Sequence, residues 1–320
     1  MFPSRRVVAV VVTRNRHRLL ARCLDALGGQ DRPPDLVIVV DNASDEPLDT
    51  LLAHRQNILL LRLSRNQGPA AAFGLGIRHA LDSRADLIWM MDDDGQPSDP
   101  GCLSGLLATQ AREAADMVSP LIRDIGQPDR LAFPIRQNGR TRFTVASLDD
   151  DPLIVDFAHL FNGALIARGV FESVGLPNAQ LFIRGDEVEF LLRMRRAGLR
   201  ILTDLRVGFL HPSSGSEIHP ILGGWFYAVV PNDAVKCFYQ FRNRGWIFAR
   251  YGMWPWLVAD HVRYACWYLL AAHDPAGYAL WLRTTWTGVL GRIDAASASV
   301  PAMADHQPAA FTTTLLDHAK

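Results

Sequence analysis

Three stretches of this 320-residue chain carry residue types that could do chemistry: WMMDDDGQPSDP at 89–100, GDEVEFLLR at 185–193 and GFLHP at 208–212. In the first, the apolar run Leu87–Met91 stops at Asp92, Asp93 and Asp94. Adjacent carboxylates raise one another's pKa and are costly to bury, so something positive is expected beside them. Side chains alternate along an extended segment, which predicts Asp92 and Asp94 on one face and Asp93 on the other. Two hard oxygen ligands on one face suit Mg²⁺ or Mn²⁺, ions that also hold substrate phosphates. The acids could instead cap the helix suggested by SDPGCLSGLLATQA, but Ser98 or Asp99, with Pro100 behind, already supplies that cap.

Asp186 and Glu187 fall at the first turn of a helix whose inward positions are Glu187, Phe190, Leu191 and Met194. Acids there complement the helix dipole. A carboxylate facing a crevice could equally take a proton from an attacking hydroxyl. His211 ends a strand-like segment, where a single histidine suits a structural role. The polar neighbours Ser213, Ser214 and His219 also allow a metal-ligand role.

The elements that must position these groups alternate through the first hundred residues. Strands are expected at 7–12, 36–40, 58–63 and 87–91, and helices at 19–27 and 70–81. Strands that are apolar throughout and separated by helices imply an α/β fold with a parallel sheet covered on both faces. Polar residues gather after each strand: Thr13 and Arg14, Asp41 and Asn42, Arg65 and Asn66, then Asp92–Asp94. In open parallel sheets that edge binds ligands, so four sequence-distant clusters should line one crevice. No glycine-rich phosphate loop follows the first strand, so the phosphates of a bound nucleotide would need a metal.

Zero net charge gives no field that would favour nucleic acid. The four cysteines include no CxxC pair, which favours free thiols in a reducing compartment. The Val7–Val12 run is shorter than a signal-peptide core, and a cytoplasmic chain is expected. Residues 123–156 mix Gly, Pro and charges and suggest a hairpin or a mobile loop. Seven of the eight tryptophans lie beyond residue 220. Between 236 and 263, Lys236, Arg242, Arg244, Arg250 and Arg263 face a single acid, Asp260, with aromatics interleaved. That mixture suits a bilayer interface with anionic headgroups, and also suits helices packing on a catalytic domain. The expected organisation is a catalytic domain at 1–230 (halves 1–122 and 123–230), helices at 231–292 and a loose tail at 293–320.

In order along the chain, VVTRNR, VVDNAS, LSRNQGPAAAFGLG, WMMDDDGQPSDP, NGALIARGVFESVG and GDEVEFLLR resemble the inverting family 2 glycosyltransferases of GT-A fold. Within that family the chain looks most like the galactofuranosyltransferases that start galactan synthesis in mycobacteria and their relatives. The resemblance covers about residues 6–250. It implies a Rossmann-like, mostly parallel sheet with flanking helices, followed by a C-terminal helical region. It implies Thr13, Arg14, Asp41, Asn66, Asp92 and Asp93 around a UDP-sugar donor, and Asp94 with His211 on a divalent metal, Mn²⁺ or Mg²⁺. Glu187 would be the base, with Asp186 as the alternative, because relatives carry the two acids in other combinations. Asn162, Gly163, Trp225, Tyr239, Arg242 and Asn243 would lie on the acceptor side.

The implied reaction transfers galactofuranose from UDP-galactofuranose to a polyprenyl-diphosphate-linked GlcNAc–rhamnose acceptor. A lipid-tailed acceptor would place the protein peripherally on the inner face of the plasma membrane; an oligomer is compatible with the sequence. A rhamnosyltransferase using dTDP-rhamnose is the rival of the same fold. A non-catalytic nucleotide- or lipid-binding module is the rival of another class.

Overall fold

The VVAVVVT run forms β1 (Val7–Thr13), buried along its whole length, as a strand covered on both faces must be. A computed structural model describes residues 5–213, 215–224 and 226–293, and the chain divides after Gly215 into two compact units. The first unit continues with α1 (His17–Gly28), β2 (Leu36–Asp41), α2 (Asp49–Leu52), β3 (Ile58–Arg62), α3 (Pro69–Asp82) and β4 (Leu87–Asp92). Next come β5 (Gln96–Pro97), α4 (Cys102–Glu113), β6 (Met117–Asp124), β7 (Arg130–Gln137), β8 (Arg140–Thr144) and β9 (Leu153–Val155). β10 (Asn162–Ala167), α5 (Arg168–Val174), α6 (Asp186–Arg196) and β11 (Ile201–His211) complete it.

The sheet runs β3-β2-β1-β4-β10-β6-β11-β5. The first four strands are parallel. β10 then enters antiparallel to both β4 and β6, and β11 returns parallel to β6. The fold is therefore α/β with a mostly parallel, mixed sheet.

Alternation along β1 divides the core. Val7, Ala9 and Val11 face Leu20, Cys23, Leu24 and Leu27 of α1 with Leu103 and Leu106 of α4. Val8, Val10 and Val12 face Phe73 and Ile77 of α3 with Val170 of α5 and Phe190 of α6. The result is three layers, with helices on both faces of the sheet.

The 123–156 region contains a hairpin, β7–β8, and ends in β9, which pairs antiparallel with β11. Asn138 and Gly139 both have positive φ, 49° and 75°, the combination a two-residue turn of matching twist requires. At α4 the cap differs from expectation. Gly101 is the N-cap residue, and Asp99 serves it by accepting the Gly101 N–H at 2.9 Å.

The second unit opens with the ribbon β12 (Ile218–Ile221) and β13 (Phe226–Val229), followed by α7 (Ala234–Arg250), α8 (Trp254–Ala265) and α9 (Pro275–Val289). A π-helical stretch, Cys266–Ala271, extends α8. α7 and α9 pack backbone to backbone. A Cβ on Gly245 would stand 2.2 Å from the Thr285 carbonyl oxygen, and one on Gly288 would stand 1.8 Å from that of Arg242. Among the described residues no helix is long and apolar enough to cross a membrane. All four cysteines are free.

Candidate active site

β4 delivers Asp92 to the carboxyl edge of the sheet, in register with Val12 of β1. The chain leaves the extended conformation there, and Asp93 and Asp94 lie in a turn. The expected alternation therefore fails. Arg16 Nη1 donates to Asp93 Oδ1 at 3.0 Å and to Asp94 Oδ2 at 2.6 Å, so these two acids share a side. Thr13, at the end of β1, donates its hydroxyl to Asp93 Oδ2 at 2.6 Å. His211, at the end of β11, brings Nε2 within 3.1 Å of Asp94 Oδ1.

Arg16 is the residue that sequence reasoning missed. A positive group beside the acids was expected, and the chain supplies one itself. VVTRNR contains two arginines, and only tertiary pairing separates the exposed Arg14 from Arg16.

The environment splits the triplet. Burial pushes the Asp92 carboxyl well above its usual pKa, with the charges of Asp94 and Asp93 adding and Arg16 opposing. Burial also raises Asp93, partly offset by Thr13 and Arg16. For Asp94 desolvation acts upward, but His211 and Arg16 outweigh it and leave the pKa lowered. Asp94 is thus the member most firmly ionised.

The second acid pair arrives on the first turn of α6. The loop before it is left-handed at Phe182 (φ 64°), Arg184 (φ 64°) and Gly185 (φ 91°). Such a run is costly outside glycine and typical of segments whose position matters. It presses on Gly68, where a Cβ would stand 2.4 Å from the Phe182 carbonyl oxygen.

Asp186 is 4% exposed, and its Oδ2 is buried without a hydrogen-bond partner. Burial, then the Glu187 charge, pushes its pKa to about 7. Glu187 is also raised by burial, opposed by Arg184, the Leu160 N–H it accepts and the charge of His211. Asp186 stands close enough to Asp92, and Glu187 to His211, for their charges to act on one another. Four separated segments of sequence thus converge at one place.

Of the other expected donor-side residues, Asp41 is fully buried at the end of β2. Its Oδ1 accepts the Ser44 N–H at 2.8 Å, and its Oδ2 has no hydrogen-bond partner. Arg62 Nε forms an ion pair with Oδ2 at 3.4 Å without an aligned hydrogen bond, so this oxygen can still accept a ligand N–H. Asn66 is committed to its own loop: its Oδ1 accepts from Asn42 Nδ2 at 2.9 Å and from the Gly68 N–H at 3.0 Å.

Of the residues expected on the acceptor side, Asn162 begins β10 and keeps its Oδ1 buried and unpartnered. Gly163 has φ 82°, a Cβ there would stand 2.6 Å from the Phe209 ring, and its carbonyl accepts the Trp89 Nε1–H at 2.9 Å. Tyr239, Arg242 and Asn243 lie on α7 in the other unit. Arg242 is 1% exposed, sits over the Tyr239 ring at 4.6 Å and donates Nη2 to Asn243 Oδ1 at 2.8 Å. Trp225 lies outside the described residues.

The donor set suits a divalent ion in part. Asp94 Oδ1 is buried without an aligned hydrogen bond, beside the imidazole of His211. A carboxylate oxygen and an imidazole nitrogen are ordinary ligands for Mn²⁺. Among the described residues no group of three His, Cys, Asp or Glu side chains is arranged for a metal. The protein would thus offer two ligands, leaving the other positions to diphosphate oxygens and water, as such ions commonly bind.

The sequence model described as Glycosyl transferase family 2 matches residues 8–173, the region holding β1 to α5. Galactofuranosyltransferase GlfT1 of Mycolicibacterium smegmatis is 40% identical over 284 residues, covering 87% of this chain and 94% of that protein. The dTDP-rhamnosyl transferase RfbF of Shigella flexneri is 27% identical over 210 residues, 65% of this chain and 68% of its own. Among solved structures, the mannosyltransferase PcManGT of Pyrobaculum calidifontis, in complex with GDP-Man and Mn²⁺, superposes with a TM-score of 0.54. It is 19% identical, and the match covers 95% of this chain and 78% of that one. The family match, the 40% likeness and the sheet that carries the acids to one edge lead to one conclusion: the chain belongs to glycosyl transferase family 2 and is a glycosyltransferase.

Proposed function

We propose that the enzyme transfers galactofuranose from UDP-galactofuranose to a hydroxyl of a polyprenyl-diphosphate-linked GlcNAc–rhamnose acceptor, with inversion. The observation that carries the chemistry is the convergence of the Asp94–His211 pair with Asp186 and Glu187. The donor sugar rests on the likeness to the mycobacterial enzyme, which extends over nearly the whole of both chains. RfbF is a more distant match over a smaller share of each chain, so dTDP-rhamnose is the rival donor.

Thr13, Asp41 and Asn66 lie where the strand ends would meet a uridine, and Asp41 Oδ2, ion-paired to Arg62, can accept a ligand N–H. Asp92 and Asp93 stand on the nucleotide side. Asp94 and His211 would hold Mn²⁺ or Mg²⁺, which when bound supplies positive charge to the departing diphosphate.

Glu187 is the base. The Glu187 charge raises Asp186, whereas Arg184, the Leu160 N–H and His211 favour the charged form of Glu187 against its burial, which supports Glu187 as the carboxylate that takes the proton. The Leu160 N–H fixes its direction. The acceptor hydroxyl gives its proton to Glu187 as its oxygen bonds to the anomeric carbon, and the C–O bond to UDP breaks on the opposite face.

The test compares wild type with Glu187→Gln on a short-chain lipid acceptor, following product by mass spectrometry and UDP binding by calorimetry. Turnover should fall by about 10²- to 10⁴-fold, the usual worth of a positioned base, with UDP affinity kept. Unchanged turnover with Asp186→Asn inactive would move the base to Asp186. No turnover by either protein, with UDP still bound, would favour a binding module.

A further inference from the structure

The acidic triplet already carries a cation. Arg16 stands at the N-cap of α1, and its Nη1 bridges Asp93 and Asp94. Its side chain is 44% exposed, so the guanidinium is open to the crevice's solvent. Each acid also keeps a second neighbour: Thr13 for Asp93, and His211 for Asp94. Arg16 can therefore leave the acids without stranding either one in the protein interior.

A divalent ion taking Asp94 and His211 would share Asp94 with this guanidinium. Two cations on one carboxylate repel, and inside a partly desolvated crevice that repulsion is weakly screened. A nucleoside diphosphate brings negative charge for both, and a planar guanidinium is well suited to grip phosphate oxygens.

We propose that Arg16 couples metal binding to nucleotide binding. With no nucleotide it neutralises Asp93 and Asp94 and opposes the metal. When the diphosphate enters, it turns from Asp94 to the phosphate oxygens and leaves that carboxylate to the metal. Arg16 is a nucleotide-binding residue in this account, which rests on the donor and metal assignment proposed above. A purely structural ion pair would behave differently, because its loss would leave the dependence of Mn²⁺ affinity on UDP untouched.

The experiment titrates MnCl₂ into wild type, Arg16→Met and Arg16→Gln, with and without saturating UDP, reading free Mn²⁺ by electron paramagnetic resonance. Circular dichroism checks that each variant is folded, and the two neutral side chains guard against one of them failing to fold. With Mn²⁺ alone, both variants should bind at least about ten-fold tighter than wild type. The factor by which UDP tightens Mn²⁺ binding should shrink about ten-fold, and by linkage the factor by which Mn²⁺ tightens UDP should shrink equally. Equal Mn²⁺ affinity in folded wild type and variants, or an unchanged UDP factor, would overturn the inference and leave the site assignment standing. Wild type that binds no Mn²⁺ with or without UDP would overturn both.

Discussion

The imidazole of His159 packs 4.9 Å from the Phe133 ring and 5.1 Å from the Phe157 ring, and Phe133 in turn lies 5.0 Å from His211. Burial, reinforced by the charge of His211, holds the His159 pKa near 4 against an ordinary 6.5. Its folded pKa is thus depressed. The stability that depends on a neutral ring is present above about pH 6.5 and is lost as the pH falls towards 4. His159→Phe should flatten the fall in melting temperature between pH 6.5 and 4, and an unchanged slope in thermal melts would contradict this. At this scale the sequence displayed Asp92–Asp94, Glu187 and His211, because each sits at the end of an apolar run or the start of a periodic helix. It did not display the relation among them. The faces of Asp92, Asp93 and Asp94 depend on where β4 stops, and the role of Arg16 depends on a contact across 77 residues.

Helix α3 lies across β1 and β2, and its two interior glycines face different surroundings. A Cβ on Gly76 would come within 2.4 Å of Val10 Cγ1, whereas one on Gly74 would meet nothing within 4 Å. Gly74→Ala should therefore stabilise the protein by about 0.5–1 kcal/mol, the usual gain for removing a helix-interior glycine. Gly76→Ala should destabilise it by about 1–3 kcal/mol, the usual cost of overpacking. Denaturant melts of the two variants check the opposite signs, and two changes of the same sign would contradict this account of the packing. The parallel run β1–β4 was legible from strand–helix alternation. The antiparallel entry of β10 was not, because an apolar segment such as GALIA has the same pattern in either direction, and its direction is set by its partners β4 and β6.

At the scale of the whole molecule, the second unit presents an apolar face. Trp254, Val258 and Val262 are exposed at successive turns of α8, and Trp256, Leu269 and Leu270 are exposed too. Trp286 of α9 and Leu290 just after it are exposed as well, and Trp286 meets His261 of α8 at 6.3 Å. The basic set expected from sequence is largely spent elsewhere. Arg244 and Arg263 pair with the buried Asp260, and Arg242 is buried. Arg250 and Arg283 on these helices, and Arg292 after α9, are exposed. We propose that this face rests on an anionic bilayer, with the tryptophans at headgroup depth and the arginines towards the lipid phosphates. Trp254→Ser with Val258→Ser and Val262→Ser should weaken co-sedimentation with phosphatidylglycerol vesicles at least about ten-fold, while transfer to a water-soluble acceptor persists; undiminished co-sedimentation would contradict the proposal. The central claim is tested most directly by offering UDP-galactofuranose, UDP-galactopyranose and dTDP-rhamnose side by side, with a lipid-linked GlcNAc–rhamnose acceptor and Mn²⁺. The account predicts transfer from UDP-galactofuranose alone, abolished by chelator; transfer from dTDP-rhamnose in its place would contradict it.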